Sequence, residues 1–281
     1  MVRITALIDD KPSEHKALIA EHGLSLYVEH NGRRILFDCG SGPNPQRNAY
    51  RLGIDLKDLD AVVISHSHYD HASGFRDLAD NGLGSGTLYT GPHFFEPKYA
   101  RSETRYTDLS AGFGPEFLAQ KGIRHHTVDG LEQIFPGIWL VSGFPRIHEF
   151  EQIPQRFVRR TAQGFREDDF PEEVCMVLQI DGGLAVLVGC SHPGILNMMT
   201  QVRKLLDQPI RAVFGGTHLV EADSARIDAT IRALRQMGLE TLGLSHCSGD
   251  AAECALQAFP DITGCHLRVG DTIFYDAASG G

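Results

Sequence analysis

The run ISHSHYDHASG, residues 64–74, sets His66, His68, Asp70 and His71 within six positions. Imidazole nitrogens and carboxylate oxygens are ligands for zinc, iron or manganese. His66 and His68 lie two apart, so an extended chain aims both the same way. Asp70 and His71 fall where the chain turns and could face a second position. The pattern suits two metal ions a few ångströms apart. A histidine-rich helix-capping loop is the plainer alternative, and the density of the run argues against it.

One tetrahedral ion needs four ligands and a pair needs more. Three further histidines repeat one arrangement: a short apolar strand, a glycine or serine, then histidine. They are His192 in LVGCSHPGI, His218 in VFGGTHLV and His246 in LGLSHCSG. His15, His22 and His30 lack that context and read as surface residues. Cys190 and Cys247 each touch a histidine-bearing turn. Six cysteines without a C-x-x-C pair in 281 residues read as free thiols, not as a disulfide framework.

These side chains need strands that end at one place, and the chain offers them. VRITALI reads as a strand, and LSLYVEHNGRRILFDCG as a hairpin turning at Asn-Gly. AVVIS is an interior strand feeding the histidine run, and ASGFRDLADN a short helix after it. GTLYT, IRHHTV and GIWLVSG are further strands. Residues 143–173 show no clean period and read as a long loop or lid at the midpoint. Beyond it, VCMVLQIDGGLAVLVGCS is a second hairpin, followed by GILNMMTQVRKLLDQ as a helix and RAVFGG as a strand. ADSARIDATIRALRQMG is an amphipathic helix ending at Gly238, before the strand ETLGLS, the helix GDAAECALQAF and the strand DTIFY. Helices following apolar strands predict a layered α/β protein with mixed sheets. An internal duplication is compatible with this order, but the two halves are too dissimilar in sequence to assert it.

Apolar residues make up 42% and charged residues 22%, enough for a packed core. The formal net charge of -10 argues against bulk attraction to nucleic acid or an anionic membrane, so neither is an expected partner. No basic region precedes an apolar run at the start, and no stretch of eighteen apolar residues occurs, so the expected setting is the cytoplasm.

HSHYDH matches the H-x-H-x-D-H signature of the metallo-β-lactamase fold superfamily, which the chain resembles over most of its length. RILFDCGSG is similar to the upstream strand of that fold, and HCSG before a helix and a last strand is similar to its closing histidine motif. The resemblance implies one α/β domain over residues 1–281. It would be an αββα sandwich of two mixed sheets flanked by helices, with residues 143–173 as a lid-like insertion. GCSHPGI, FGGTHL, SHCSG and FPRIHEFE resemble a subgroup, the 7,8-dihydropterin-6-methyl-4-(β-D-ribofuranosyl)-aminobenzene-5'-phosphate synthase-related proteins. Two segments depart from the usual binuclear pattern. A T-P-G-H-T histidine is replaced by LVSGFPRIHEFE, and a G-D aspartate by GCSH. His192 is read as replacing one of these ligands, with Cys190 the next candidate.

Resemblance and metal chemistry together assign His66, His68 and His192 to a first ion. Asp70, His71 and His246 would hold a second. Asp70 could also take a proton from the attacking water. Asp38 would orient a ligand histidine from behind, and Cys190 would stand outside the ligand set. His218 is left to bind a substrate phosphate, act as general acid or complete the metal shell. Arg146 could pair with phosphate, which guanidinium matches bidentately; Arg159 and Arg160 are weaker candidates for the same task. The expected activity is metal-dependent hydrolysis of a small ester, lactone or phosphate-bearing substrate with one or two divalent ions, zinc first, then iron or manganese. The alternatives are a synthase-like transferase, a nuclease and a non-catalytic metal-binding protein. A flavin-bearing di-iron protein is disfavoured, because His68 stands where those proteins carry an acid.

Overall fold

The computed structural model describes residues 1–14, 16–82 and 86–276. His15 lies outside the described residues. The first half runs β1 (Val2–Ile8), β2 (Ser25–His30), β3 (Arg33–Phe37), α1 (Asn44–Arg51), β4 (Ala61–Val63), α2 (Tyr69–Ala72), α3 (Gly74–Asp80), β5 (Thr87–Thr90), β6 (Lys98–Ser102), β7 (Arg105–Asp108), α4 (Pro115–Lys121) and β8 (His125–Thr127). The second half starts with β9 (Leu131–Phe135), β10 (Ile138–Ser142), β11 (Phe157–Thr161), β12 (Gly164–Glu167), β13 (Val174–Ile180) and β14 (Gly183–Val188). It ends with α5 (Ile195–Leu206), β15 (Ile210–Gly215), α6 (Ser224–Gln236), β16 (Thr241–Leu244), α7 (Asp250–Leu256), β17 (Thr263–His266) and β18 (Thr272–Tyr275).

Alternation decides the layers. In β13, Val174, Met176, Leu178 and Ile180 join a core with Ile4, Val28, Phe37 and Val63 of the other sheet. Their neighbours Cys175 and Val177 face the opposite way, toward Met198, Val202, Ile227 and Ile231 of α5 and α6. The outer face of the first sheet packs Leu36, Val62 and Ile64 against Phe75, Leu78 and Leu118 of α3 and α4. Three apolar layers between two sheets and two sets of helices make an αββα sandwich, as the sequence predicts. Each large apolar side chain buried this way contributes about 1.5–3 kcal/mol.

The two sheets repeat one topology. The first has the order β18-β1-β2-β3-β4-β5-β8, antiparallel as far as β3 and parallel beyond it. The second has the order β9-β10-β13-β14-β15-β16-β17, antiparallel as far as β14 and parallel beyond it. The Asn31-Gly32 turn takes positive φ at both residues, 50° and 80°, which matches the right-handed twist of the β2–β3 hairpin.

The stretch 143–173 is more ordered than its composition suggests. β11 and β12 form a hairpin that joins β6 and β7 in a third, four-stranded sheet of order β12-β11-β6-β7. Strands β7 and β12 are exposed along their whole length, so no burial period marks them in the sequence. Residues 146–151 are tied to the start of α5. Glu151 accepts from Leu196 N and Asn197 N, and Asn197 Oδ1 accepts from the amides of Ile147 and His148. Among the described residues no helix is long and apolar enough to cross a membrane.

Candidate metal centre

Five strands end at one place. β3 delivers Asp38, β4 the dense run, and β14, β15 and β16 deliver His192, His218 and His246. Carboxyl ends of parallel strands are where open α/β sheets place their sites. The halves meet closely there: a Cβ at Gly189 would stand 2.0 Å from Ser65 Oγ, so only glycine fits after β14. Asp38, Ser191, His218 and His246 all have positive φ, between 48° and 59°. Such backbone costs about 1–3 kcal/mol per residue and gathers at functional sites.

The ligand atoms of His66, His68 and His192 lie within 4.8 Å of one another. His66 Nε2, His68 Nε2 and both ring nitrogens of His192 are buried without a hydrogen-bond partner among the described residues. Buried unpaired ring nitrogens are costly unless something fills the gap. Three of them converging is what a metal ion would satisfy. Burial holds His66 and His192 well below the ordinary imidazole range, helped by neighbouring histidines, and takes His68 down to about 3. The rings are therefore neutral, as metal ligation requires.

The second group is Asp70, His71 and His246, again within 4.8 Å. His71 Nδ1 pairs with Asp38 Oδ2 at 2.7 Å, which leaves Nε2 for the centre. Asp38 also accepts from Ser65 N and Ser65 Oγ, at 2.7 and 2.8 Å, so it fixes both the ring and the loop that bears it. Burial raises the Asp70 carboxyl, but His71, His22 and His246 outweigh that and hold it well below the usual range. Burial would lower His246, yet Asp10 and Asp70 prevail and raise it well above its ordinary value. The donor sets of both groups fit divalent ions.

Of the remaining expected residues, Cys190, His218 and Arg146 are also at or beside this place. Cys190 Sγ lies 3.2 Å from His71 Nε2, at the ligand nitrogen itself and not behind the ligands. His218 is buried, and among the described residues neither ring nitrogen has a hydrogen-bond partner; its ring lies 4.6 Å from that of His192. Arg146 donates to the carbonyl of Pro193 at 3.0 Å, next to His192, and to that of Glu151 at 3.4 Å. Arg159 is paired with Glu96 and Asp169.

Sequence reasoning missed several contributors. His22 is exposed, but its Nε2 lies 3.2 Å from Asp70 Oδ2. His30 is not a surface residue: it is buried, and its Nε2 pairs with Gln179 O at 2.8 Å. Asp9 accepts from His246 N at 2.7 Å, and Asp10 pairs with His246 Nδ1 at 2.6 Å. Two acids directly after an apolar strand, IDD, were the available signal. Phe170 stacks on His192 at 3.8 Å and 17°, and Phe157 stands 5.3 Å from His68 and 5.2 Å from His192. No periodic pattern announces either ring.

A metallo-beta-lactamase superfamily profile matches residues 19–83. The 7,8-dihydropterin-6-methyl-4-(beta-D-ribofuranosyl)-aminobenzene-5'-phosphate synthase of Methanocaldococcus jannaschii is 28% identical over 277 residues, covering 90% of this chain and 89% of that protein. The crystal structure of Tm1679, described as a metal-dependent hydrolase of the beta-lactamase superfamily, is 27% identical. It superimposes with a TM-score of 0.85 over 98% of this chain and 100% of that one. The Ribonuclease Z of Bradyrhizobium diazoefficiens is 43% identical over 147 residues, 52% of this chain and 38% of that protein. This last likeness corrects the expectation that nucleic acid is an unlikely partner. A net charge summed over the chain averages away the local fields that bind a polyanion. Signature loop, sandwich topology and full-length likenesses agree: the chain carries a metallo-β-lactamase-like domain, with the superfamily profile itself matched over residues 19–83.

Proposed function

We propose that this protein is a metal-dependent hydrolase of a small ester, lactone or phosphate-bearing substrate. The observation that carries this is the pair of adjacent groups of potential ligands, one of them a set of buried, neutral imidazoles whose Nε2 atoms have no hydrogen-bond partner among the described residues. His66, His68 and His192 would hold one divalent ion, and Asp70, His71 and His246 the other, with zinc the leading ion. An ion bound there would supply Lewis acidity, making a water easier to deprotonate near neutral pH and polarising a scissile carbonyl or phosphoryl group. Asp70, ionised by its imidazole neighbours, takes the proton of the attacking water. Phe157 and Phe170, packed over His68 and His192, exclude bulk water from that side, which strengthens every charge interaction inside. His218 serves as acid for the leaving group, and Arg146 stands ready for a phosphate at the rim. The segment 143–173 is the lid of a single domain. Six free cysteines suit the cytoplasm. Turnover of an ester, lactone and phosphodiester panel by zinc-, iron- and manganese-loaded protein tests the reading; no turnover with full metal content would sink it.

Two other readings have specific observations behind them. The 28% identity to a synthase favours a transferase; condensation of a dihydropterin diphosphate with an aminobenzene ribose phosphate would establish it. A nuclease reading draws on the third sheet and the Ribonuclease Z likeness. Tyr106 and Phe165 stack there at 4.4 Å, both more than 40% exposed, with Arg101 and Arg160 opposite them in register. Exposed rings beside arginines are a platform for single-stranded bases. Salt-dependent binding of a short RNA, lost in Phe165→Ala, is its test.

A further inference from the structure

His22 lies on the connection between β1 and β2, and the sequence reads it as a surface residue and not as a ligand. Its side chain is 59% exposed, yet its segment is fixed. Gly23 N donates to Asp10 Oδ1 at 3.2 Å, and Leu24 N to the backbone carbonyl of Asp70 at 3.2 Å. A Cβ at Gly23 would stand 2.3 Å from that carbonyl, and its φ is +136°, so glycine alone brings the chain this close.

Asp10 holds two imidazoles at once. Its Oδ2 pairs with His22 Nδ1 at 2.8 Å and its Oδ1 with His246 Nδ1 at 2.6 Å. Both rings thereby turn Nε2 toward one atom, Asp70 Oδ2, at 3.2 Å from His22 and 3.3 Å from His246. His71 Nε2 lies 3.8 Å from the same oxygen. Around a tetrahedral ion with bonds of about 2.0–2.2 Å, ligand atoms stand roughly 3.3–3.5 Å apart. A carboxylate that fixes the far nitrogen of a ring while the near one faces the centre is the usual support of metal-bound histidine. Cys190 groups instead with His66 and His71, between the two ligand sets, so its thiol does not compete for this position.

We propose that His22 is a ligand of the second metal ion. It completes the set of Asp70, His71 and His246. Asp10 is the positioning residue for both His22 and His246. The inference rests on the two-ion reading above.

Titration of metal-free protein with cobalt(II), followed by visible absorption and by ions per chain after dialysis, tests it. The unaltered protein takes two ions. His22→Ala keeps the first affinity and loses about 100-fold or more in the second, with the absorption bands of the second ion changed. Asp10→Asn weakens the second ion about tenfold with its bands retained, the scale seen when a supporting carboxylate is removed. Circular dichroism confirms that both variants are folded. If the unaltered protein takes two ions and His22→Ala binds the second as tightly with the same bands, His22 is not a ligand while the two-ion reading stands. If the unaltered protein takes only one ion, both fall together.

Discussion

In the amino-terminal half a single loop after β4 carries His66, His68, Asp70 and His71, whereas in the carboxyl-terminal half β14, β15 and β16 each release one histidine. The two halves share a sheet topology and yet supply the centre in different ways. One concentrates its ligands within a turn, where their spacing fixes their directions. The other spreads them over 55 residues, from His192 to His246, and relies on parallel pairing to bring them together. The ligand groups draw on both halves: His192 completes the set of His66 and His68, and His246 that of Asp70 and His71. The groups also differ in protonation. The first is held neutral by burial, while in the second Asp10 and Asp70 favour the protonated form of His246. A concentrated loop without the opposite sheet is an incomplete group.

The largest expected effect comes from the concentrated half. Replacing both His66 and His68 by alanine should remove one ion per chain and lower turnover by about 10³-fold or more, the scale of losing preorganised charge stabilisation. Retention of two ions would break the assignment. On the dispersed side, His218→Ala should keep the metal content and lower kcat by about 10²-fold, at the low end for a lost general acid. Loss of an ion would instead make His218 a ligand and turn the second half into a three-ligand donor. Next comes Asp38→Asn, which removes the carboxylate charge behind His71 while leaving every proposed ligand in place. Metal affinity should fall by about 10- to 100-fold, read by chelator competition.

The smallest effect separates the groups by pH. His22 is raised to about 9 by its bonds to Asp10 and Asp70, and His246 is raised by the same carboxylates against the effect of burial. Metal must displace those protons, so second-ion affinity should weaken as pH falls below about 9, by up to about tenfold per unit from one such group. His68 titrates near 3, so proton competition leaves first-ion affinity nearly level over the same range. Equal pH dependence of both ions, measured by dialysis, would erase the contrast.

Much of the layering was readable because buried strands and amphipathic helices carry their period locally: β13, β14, α5 and α6 stand where the sequence puts them. The third sheet was not readable, since β7 and β12 are exposed on both faces. The duplicated topology was equally hidden, because backbone pairing repeats without any repeat of side chains. Within the site, histidines at strand ends stood out, but carboxylates that act through them did not. Asp10 and His22 look like ordinary surface residues until β1 is laid beside β2 and the β16 turn is brought across.

By itself the sequence determined that strands alternate with helices, and that one turn carries metal-ligating side chains. Both are properties of residues within a few positions of each other. Only the tertiary structure decided which distant residues complete each group, which carboxylate stands behind each ring, and that His22 faces Asp70. Those depend on the order of strands in two sheets and on close approaches such as Gly23 to the Asp70 carbonyl. Such contacts join residues far apart in the chain, and no local spacing encodes them.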